Sequence, residues 1–428
     1  SFGFFYALDG YDSAGRFDEY LGEYFRDEPD AEAWLAELYR MVDLQGGWHF
    51  IHTGRNPEFT RRCLRAQTLR RPNSGLLVGP DTPTEIWDEI FDLWGKGIPS
   101  PALYSEAGYR RGLRAYPEIA RADRERFVFG GCTELMFEGC SSIGSIEAGI
   151  NLLEIWNQST PTRFAADLRL RLEELAAGVK ANSEFAARNR PQLIRTLFID
   201  DCIEHNLEYR AGGARCNGGV VNVAGLTDTA NAIAAARGIQ AKFGNDHPEV
   251  DAIARRLAET VFRQIRHHPM RNGGPAFPAV IMFVTYPYHG SYVDGSAGGR
   301  PAGAPLADSA GAATGDDRHG PTALLNSVAK LPSQLGIGTL VLNLRIERDL
   351  AADPVKRRKL QALLQGFFAQ GGLQLQPTLI DRDTLQKAYR NPDAHPELIV
   401  RIGGYSEYYQ RLSRELQLAV LERTEHLL

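Results

Sequence analysis

Sulfur is scarce in this chain: five cysteines and four methionines among 428 residues. Cys63, Cys132, Cys140, Cys202 and Cys216 are scattered, and no two form a CxxC pair. That excludes a zinc-ribbon or thioredoxin-type motif, and it predicts reduced thiols in a cytoplasm rather than a disulfide scaffold. Long apolar runs are missing too. The best, from Ala279 to Tyr286, is bounded by Pro278 and Pro287, far short of the roughly 18 residues that cross a bilayer. No charged leader precedes an apolar stretch, so no secretory signal is expected. Excess positive charge is absent, since the net charge is −5. Neither nucleic acid nor a membrane surface is therefore an expected partner. No internal repeat is visible.

What is present reads as globular α/β. Hydrophobic residues make up 43% and charged residues 24%, enough for one large core or several smaller ones. Apolar residues at helical spacing follow Asp30, and Thr82-Pro-Thr-Glu caps a second amphipathic run. Ser74-Gly-Leu-Leu-Val-Gly and Arg126-Phe-Val-Phe-Gly-Gly read as strands ended by glycine. Residues 290–320 are dense in Gly, Ala, Asp and Ser, which by composition is a flexible linker. Beyond them, helix is expected from Pro321 to Leu331 and from Lys356 to Gly371. Strands are expected from Thr339 to Arg345 and from Leu373 to Leu379. The tail from Ser406 reads as the clearest helix: Tyr408, Leu412, Leu416 and Val420 share one face, and Ser406 is placed to cap it.

Two short stretches offer chemistry. In "FGGCTELMFEGC" a strand-like run meets Gly130-Gly131 and then Cys132, with Glu134 two residues on. A nearby carboxylate raises a thiol pKa, so this pair does not suit an ionic cysteine nucleophile. It suits a thiol that reacts as a radical, with the carboxylate as a separate base. In "VRIGGYSEYY" the pair Gly403-Gly404 is by default a turn. A glycine Cα radical, however, is delocalised over the flanking amides, and no Cβ forces it out of planarity.

The two stretches together, with "DGSAGGRPAGAPLADSAG" and "GPTALLNSVAKL" between them, resemble the glycyl radical enzymes of the pyruvate formate-lyase family, in the glycerol dehydratase-like and choline trimethylamine-lyase-like branch. "RFDEYL", "RPNSGLLV" and "GGARCNGG" add to the resemblance, with Cys216 where an aromatic residue is more usual. It covers essentially the whole chain. It implies a ten-stranded α/β barrel enclosing a Cys loop and a Gly loop. Members are usually much longer, so this chain, opening at Ser1, is expected to be a piece of one that holds the C-terminal half of the barrel. Residues 1–332 would carry the Cys loop, and residues 333–428 the glycyl radical domain.

The resemblance further implies Gly404 as the radical store, Cys132 as the thiyl and Glu134 as the base. A radical S-adenosylmethionine, iron–sulfur activating enzyme would install the radical, with no bound cofactor or metal. The protein would be an oxygen-sensitive, cytoplasmic homodimer acting on a small molecule. Pyruvate formate-lyase uses adjacent cysteines, whereas Cys132 lies between Gly131 and Thr133. Elimination from a small hydroxylated substrate is therefore the leading reaction. Arylacetate decarboxylation or C–C cleavage is the alternative, and an inactive paralogue or spare-part glycyl domain is the reading of another class. Ser145, Glu147, His49 and His52 are weaker substrate-binding candidates. The chain departs from the family in continuing "GCTELM" and in being shortened between Ala241 and Pro278.

Overall fold

The computed structural model describes residues 13–45, 49–68, 73–130, 133–143, 146–402 and 406–422. Among them, β1 (Ser13–Arg16), β2 (His49–His52), β3 (Asn73–Val78) and β4 (Ala102–Ser105) are successive parallel neighbours. Helices Ala31–Gln45, Pro57–Ala66 and Thr84–Gly95 make the crossovers that parallel pairing requires. The third of these buries Ile86, Trp87, Ile90, Phe91 and Trp94. Each such side chain contributes about 1.5–3 kcal/mol against exposure, so this face fixes the strand register beneath it.

A hairpin follows, β5 (Phe127–Phe129) against β6 (Leu135–Phe137). The chain then builds a second parallel set: β7 (Ile146–Asn151), β8 (Gly219–Ala224), β9 (Ala276–Val280) and β10 (Thr339–Leu340). Next come β11 (Asn343–Arg345) and β12 (Gln374–Thr378), parallel to each other, with β12 antiparallel to β4. Only Val341 and Leu342 separate β10 from β11. Val341 N still donates to Val280 O on β9 (3.2 Å), while Leu342 O already accepts from Gln376 N on β12 (2.9 Å). One segment thus changes partner and joins the two sheets. The order is β1-β2-β3-β4-β12-β11, then β10-β9-β8-β7. Two parallel sets meet at the antiparallel β4–β12 seam. The four strands before the hairpin mean that the chain supplies strands to both sets, more than one five-stranded half.

Two local expectations change. Residues 290–320 are docked rather than a free linker. Ala307 N donates to buried Asp228 (2.8 Å), Thr227 Oγ1 to Gly311 O (2.8 Å) and Ala310 N to Val341 O (2.9 Å). Gly290 is needed there, because a Cβ would lie 2.1 Å from Ala304 O. The tail from Ser406 opens as a strand, since β14 (Ser406–Tyr408) pairs antiparallel with β13 (Ile399–Arg401). The helix begins only at Arg414 and ends at Glu422. Cross-strand pairing overrode the helical periodicity, and Ser413, not Ser406, accepts from the first turn (Leu416 N, 3.3 Å). Beyond residue 332, β10, β11 and β12 belong to the sheets.

Asp228 makes the docking of residues 290–320 sensitive to pH. Burial pushes its carboxyl up to about 6, against the opposing donation from Ala307 N and the charge of Arg300. The folded state therefore holds this proton more tightly than the unfolded state, and stability falls as pH rises from about 4 to about 6. The size is about 3 kcal/mol. Asp228→Asn is expected to remove that decline from urea-unfolding free energies measured between pH 4 and 7. Identical pH profiles for the two proteins would reject the assignment.

Candidate active site

Two hairpins are hung on neighbouring strands. In the first, Phe127, Val128 and Phe129 face Phe137, Met136 and Leu135 across the β5–β6 ladder. Its tip is closed by Gly130 N donating to Glu134 O (2.7 Å) and Thr133 N to Gly130 O (3.0 Å). Aromatic packing seats it: Tyr104 of β4 stacks on Phe129 at 3.9 Å, and Tyr109 meets Phe129 edge-on at 4.6 Å. At the base, the Arg16 guanidinium donates to Phe127 O (3.0 Å) and lies 5.2 Å over the Phe127 ring. Arg16 N donates to Glu138 Oε1 (2.9 Å). Gly15 leaves room for that carboxylate, which a Cβ would meet at 2.1 Å.

The tip is held by one chain of hydrogen bonds. Thr339 Oγ1 on β10 donates to Thr133 O (2.7 Å) and lies 2.9 Å from Tyr109 Oη. A threonine has one hydroxyl proton. It is used on Thr133 O, so Tyr109 must donate to Thr339. Burial pushes the Tyr109 phenol well up, which keeps that proton in place. Thr133 and Thr339 have φ of +77° and +132°, conformations that β-branched residues rarely adopt. Both are fully buried, as is Glu134.

The second hairpin, β13–β14, pairs Arg401 with Ser406. Arg401 is fully buried. It donates through Nε and Nη2 to Gln376 Oε1 on β12 (3.1 and 3.0 Å). Gln376 Nε2 in turn donates to Asn343 Oδ1 on β11 (2.5 Å). Behind the hairpin, Tyr409 Oη donates to Gln417 O and Gln417 Nε2 to Tyr409 O (2.8 and 2.9 Å). The loop flanking residues 131 and 132 is therefore fixed to β10, and the loop flanking residues 403–405 is fixed to β12. In the strand order β11 stands between them, reached from β10 through Val341 and Leu342.

Cys132, Gly404 and Ser145 lie outside the described residues, as does Gly403. Glu134 is buried at the hairpin tip beside Thr133. His49 opens β2, paired with Asn73. His52 closes β2. It is buried against Phe17, with ring centroids 6.0 Å apart, and neither ring nitrogen has a hydrogen bond among the described residues. Burial lowers its pKa despite the nearby Asp18. Asp18 is saturated by Thr53 N, Gly54 N and Thr60 Oγ1 (2.8, 2.9 and 2.7 Å). His52 is a neutral core imidazole in the helix layer. Both oxygens of Glu147 accept from Arg271 Nη2 (2.7 Å each), and Arg271 Nη1 also holds Ser142 O. It ties β7 to the turn at Arg271, beside a cavity of about 680 Å³ that Arg271, Arg210 and Lys180 help line. The residues that position the tips, namely Tyr109, Thr339, Gln376 and Arg401, carried no motif signal, except that Arg401 opens the glycine stretch.

The glycine radical family matches residues 306–410. Trans-4-hydroxy-L-proline dehydratase from Clostridioides difficile is 24% identical over 83% of this chain and 53% of its own length. The probable dehydratase YbiW of Escherichia coli (strain K12) is 27% identical over 79% of this chain and 47% of its own. These matches support a glycyl radical enzyme. In structure, the glycerol-bound B12-independent glycerol dehydratase from Clostridium butyricum superposes with a TM-score of 0.89. That match has 22% identity and covers 97% of this chain and 64% of the other, so the α/β fold is that of the glycyl radical enzyme barrel. The chain spans about half the length of the curated relatives it matches. No helix among the described residues is long and apolar enough to cross a membrane.

In this glycyl radical enzyme fold the Thr339 hydroxyl is expected to set the stability of the Cys hairpin tip. Thr339→Val strands the Thr133 carbonyl and the Tyr109 hydroxyl in the interior, each at a cost of about 1–3 kcal/mol. Thr339→Ser keeps the hydroxyl and should cost under about 1 kcal/mol. Chemical denaturation checks this, and equal losses in the two variants would remove the relay from the account.

Proposed function

We propose that the chain carries the reaction centre of a glycyl radical lyase or dehydratase, acting by elimination on a small hydroxylated substrate. The observation that supports this best is the hanging of the two hairpins on β10 and on β12, strands joined through β11, by Thr339 to Thr133 O and by Arg401 to Gln376. By sequence, those hairpins carry Cys132 and Gly404. The relatives described above are dehydratases by name, which favours elimination over decarboxylation.

The chemistry follows from bond strengths and position. The Gly404 Cα radical takes the hydrogen atom of the Cys132 thiol, leaving C–H and S•. The thiyl takes a hydrogen atom from the carbon bearing the substrate hydroxyl. Glu134 accepts the hydroxyl proton, and the resulting ketyl expels the β leaving group with its bonding pair. The product radical recovers hydrogen from the Cys132 thiol, which becomes a thiyl again; that thiyl takes hydrogen from the Gly404 Cα, restoring the thiol and the Gly404 radical. Each transfer is near thermoneutral, so the protein supplies contact and dryness rather than driving force. The full burial of Glu134 and Thr133 fits that need. Installation of the radical is assigned to a radical S-adenosylmethionine activating enzyme. The protein is further proposed to be a cytoplasmic homodimer.

Anaerobic activation followed by electron-spin resonance tests the reading. The native protein should give a doublet from the single remaining Gly404 α-hydrogen, and Gly404→Ala none. Cys132→Ser should keep the doublet and lose all turnover of small diols or amino alcohols. Glu134→Gln should keep the doublet and slow elimination by at least about 100-fold, the usual contribution of a positioned base. A doublet in Gly404→Ala would refute the assignment.

A further inference from the structure

Cys140 and Cys216 take no part in the proposed reaction. Cys140 follows β6, eight residues beyond Cys132, and Cys216 precedes β8. Their sulfurs are 3.3 Å apart and buried. The backbone fixes this juxtaposition: Cys216 N donates to Cys140 O (2.8 Å), Ser142 N to Cys216 O (2.9 Å), and Ser141 bridges Cys216 in parallel fashion. Asp123 stands beside the pair, and Arg215 donates to both its oxygens (3.0 Å each). Arg215 also reaches Asp200 (3.4 Å) and Asp201. Asp200 N donates to Gly139 O (2.6 Å), next to Cys140.

Three soft or anionic donors in one place raise the question of a cation. Two thiolates on a tetrahedral zinc ion, at about 2.3 Å each, sit about 3.8 Å apart. The observed 3.3 Å is shorter, and Asp123 already holds a guanidinium with both oxygens. The adjacent Cys216 thiol, together with burial, pushes the Cys140 thiol well above its ordinary value, which disfavours the thiolate a metal needs. A disulfide, at about 2.05 Å, needs the sulfurs to approach by about 1.3 Å. Side-chain rotation within a fixed backbone bridge supplies that.

We propose that Cys140 and Cys216 are an intramolecular disulfide site, closed by a low-molecular-weight disulfide. The two thiols lose two protons and two electrons and form one S–S bond. The small disulfide takes up both and leaves as two thiols. Exchange passes through a mixed disulfide on one cysteine, which the other displaces. With the thiolate disfavoured and both sulfurs buried, closure is slow and requires local opening. The bond would bracket the excursion made by the helix Phe164–Asn189 and the short helices after it. This excursion exposes Leu193, Ile194, Leu197 and Ile203. Oxidation would lock its two ends together at the foot of the Cys hairpin, whatever reaction the hairpin serves.

Thiol counting and peptide mass spectrometry after incubation with oxidised glutathione decide the matter. The expected result is a Cys140–Cys216 cross-linked peptide, with Cys63 and Cys202 left as thiols. A cross-link enclosing this many residues should raise Tm by about 5 °C, and dithiothreitol should reverse the rise. Cys140→Ser should show neither change, and Cys216→Ala is the second variant should the first not fold. Glutathione adducts without a cross-link overturn the proposal. Two unreacted thiols after prolonged incubation do the same. So does stoichiometric zinc in anaerobically purified protein, lost together with Cys140→Ser.

Discussion

One hydroxyl proton, on Thr339, connects the barrel wall to the loop that carries the thiol. Its donation to Thr133 O forces Tyr109 to donate to Thr339, and it joins a helix, a strand and a hairpin tip in one directed chain. Both threonines hold positive φ, a state costing about 1–3 kcal/mol each. Such strain persists only where surrounding packing over-determines it. Here the packing is the Tyr104–Phe129 stack above and the Arg16–Phe127 contact below. Take those away and the tip relaxes, which is why residues remote from Cys132 bear on where that residue sits.

The place of Thr339 is itself a product of topology. The segment from Thr339 to Arg345 leaves β9 and joins β12 within a few residues. Before that change of partner the segment holds one hairpin through Thr339, and β12, the partner it joins, holds the other through Gln376. The antiparallel β4–β12 contact has the complementary effect. It carries Tyr104 into the aromatic stack and places Gln374 and Gln376 along the same strand.

Much of this was legible in the residues. Glycine-ended apolar runs located β3 and β5, and the capped periodic runs located the helices packed on them. The order of "GCTE" and "RIGGY" carried the resemblance to glycyl radical enzymes before any geometry. The tail misled because Tyr408, Leu412, Leu416 and Val420 are compatible with a helix, while the pairing of Arg401 with Ser406 is a contact across a loop that no local period encodes. The stretch at residues 290–320 misled for a related reason. Glycine content signals freedom in an isolated chain, but here it allows close approach, as at Gly290 against Ala304 O. The partners of His52 and Glu147, Phe17 and Arg271, lie far off in sequence, so no local pattern announced them.

The two attachments differ in kind, and the difference bears on motion. The Cys hairpin is held through a backbone carbonyl and stacked rings, contacts that gain little from water if broken. The Gly hairpin is held by a buried guanidinium on an amide oxygen, Arg401 on Gln376. A buried charge carries a desolvation cost that hydration recovers. Withdrawing β13–β14 exposes Val400 and Ile402 but rehydrates a cation, whereas withdrawing β5–β6 exposes Phe127, Phe129 and Phe137 with no buried charge to rehydrate.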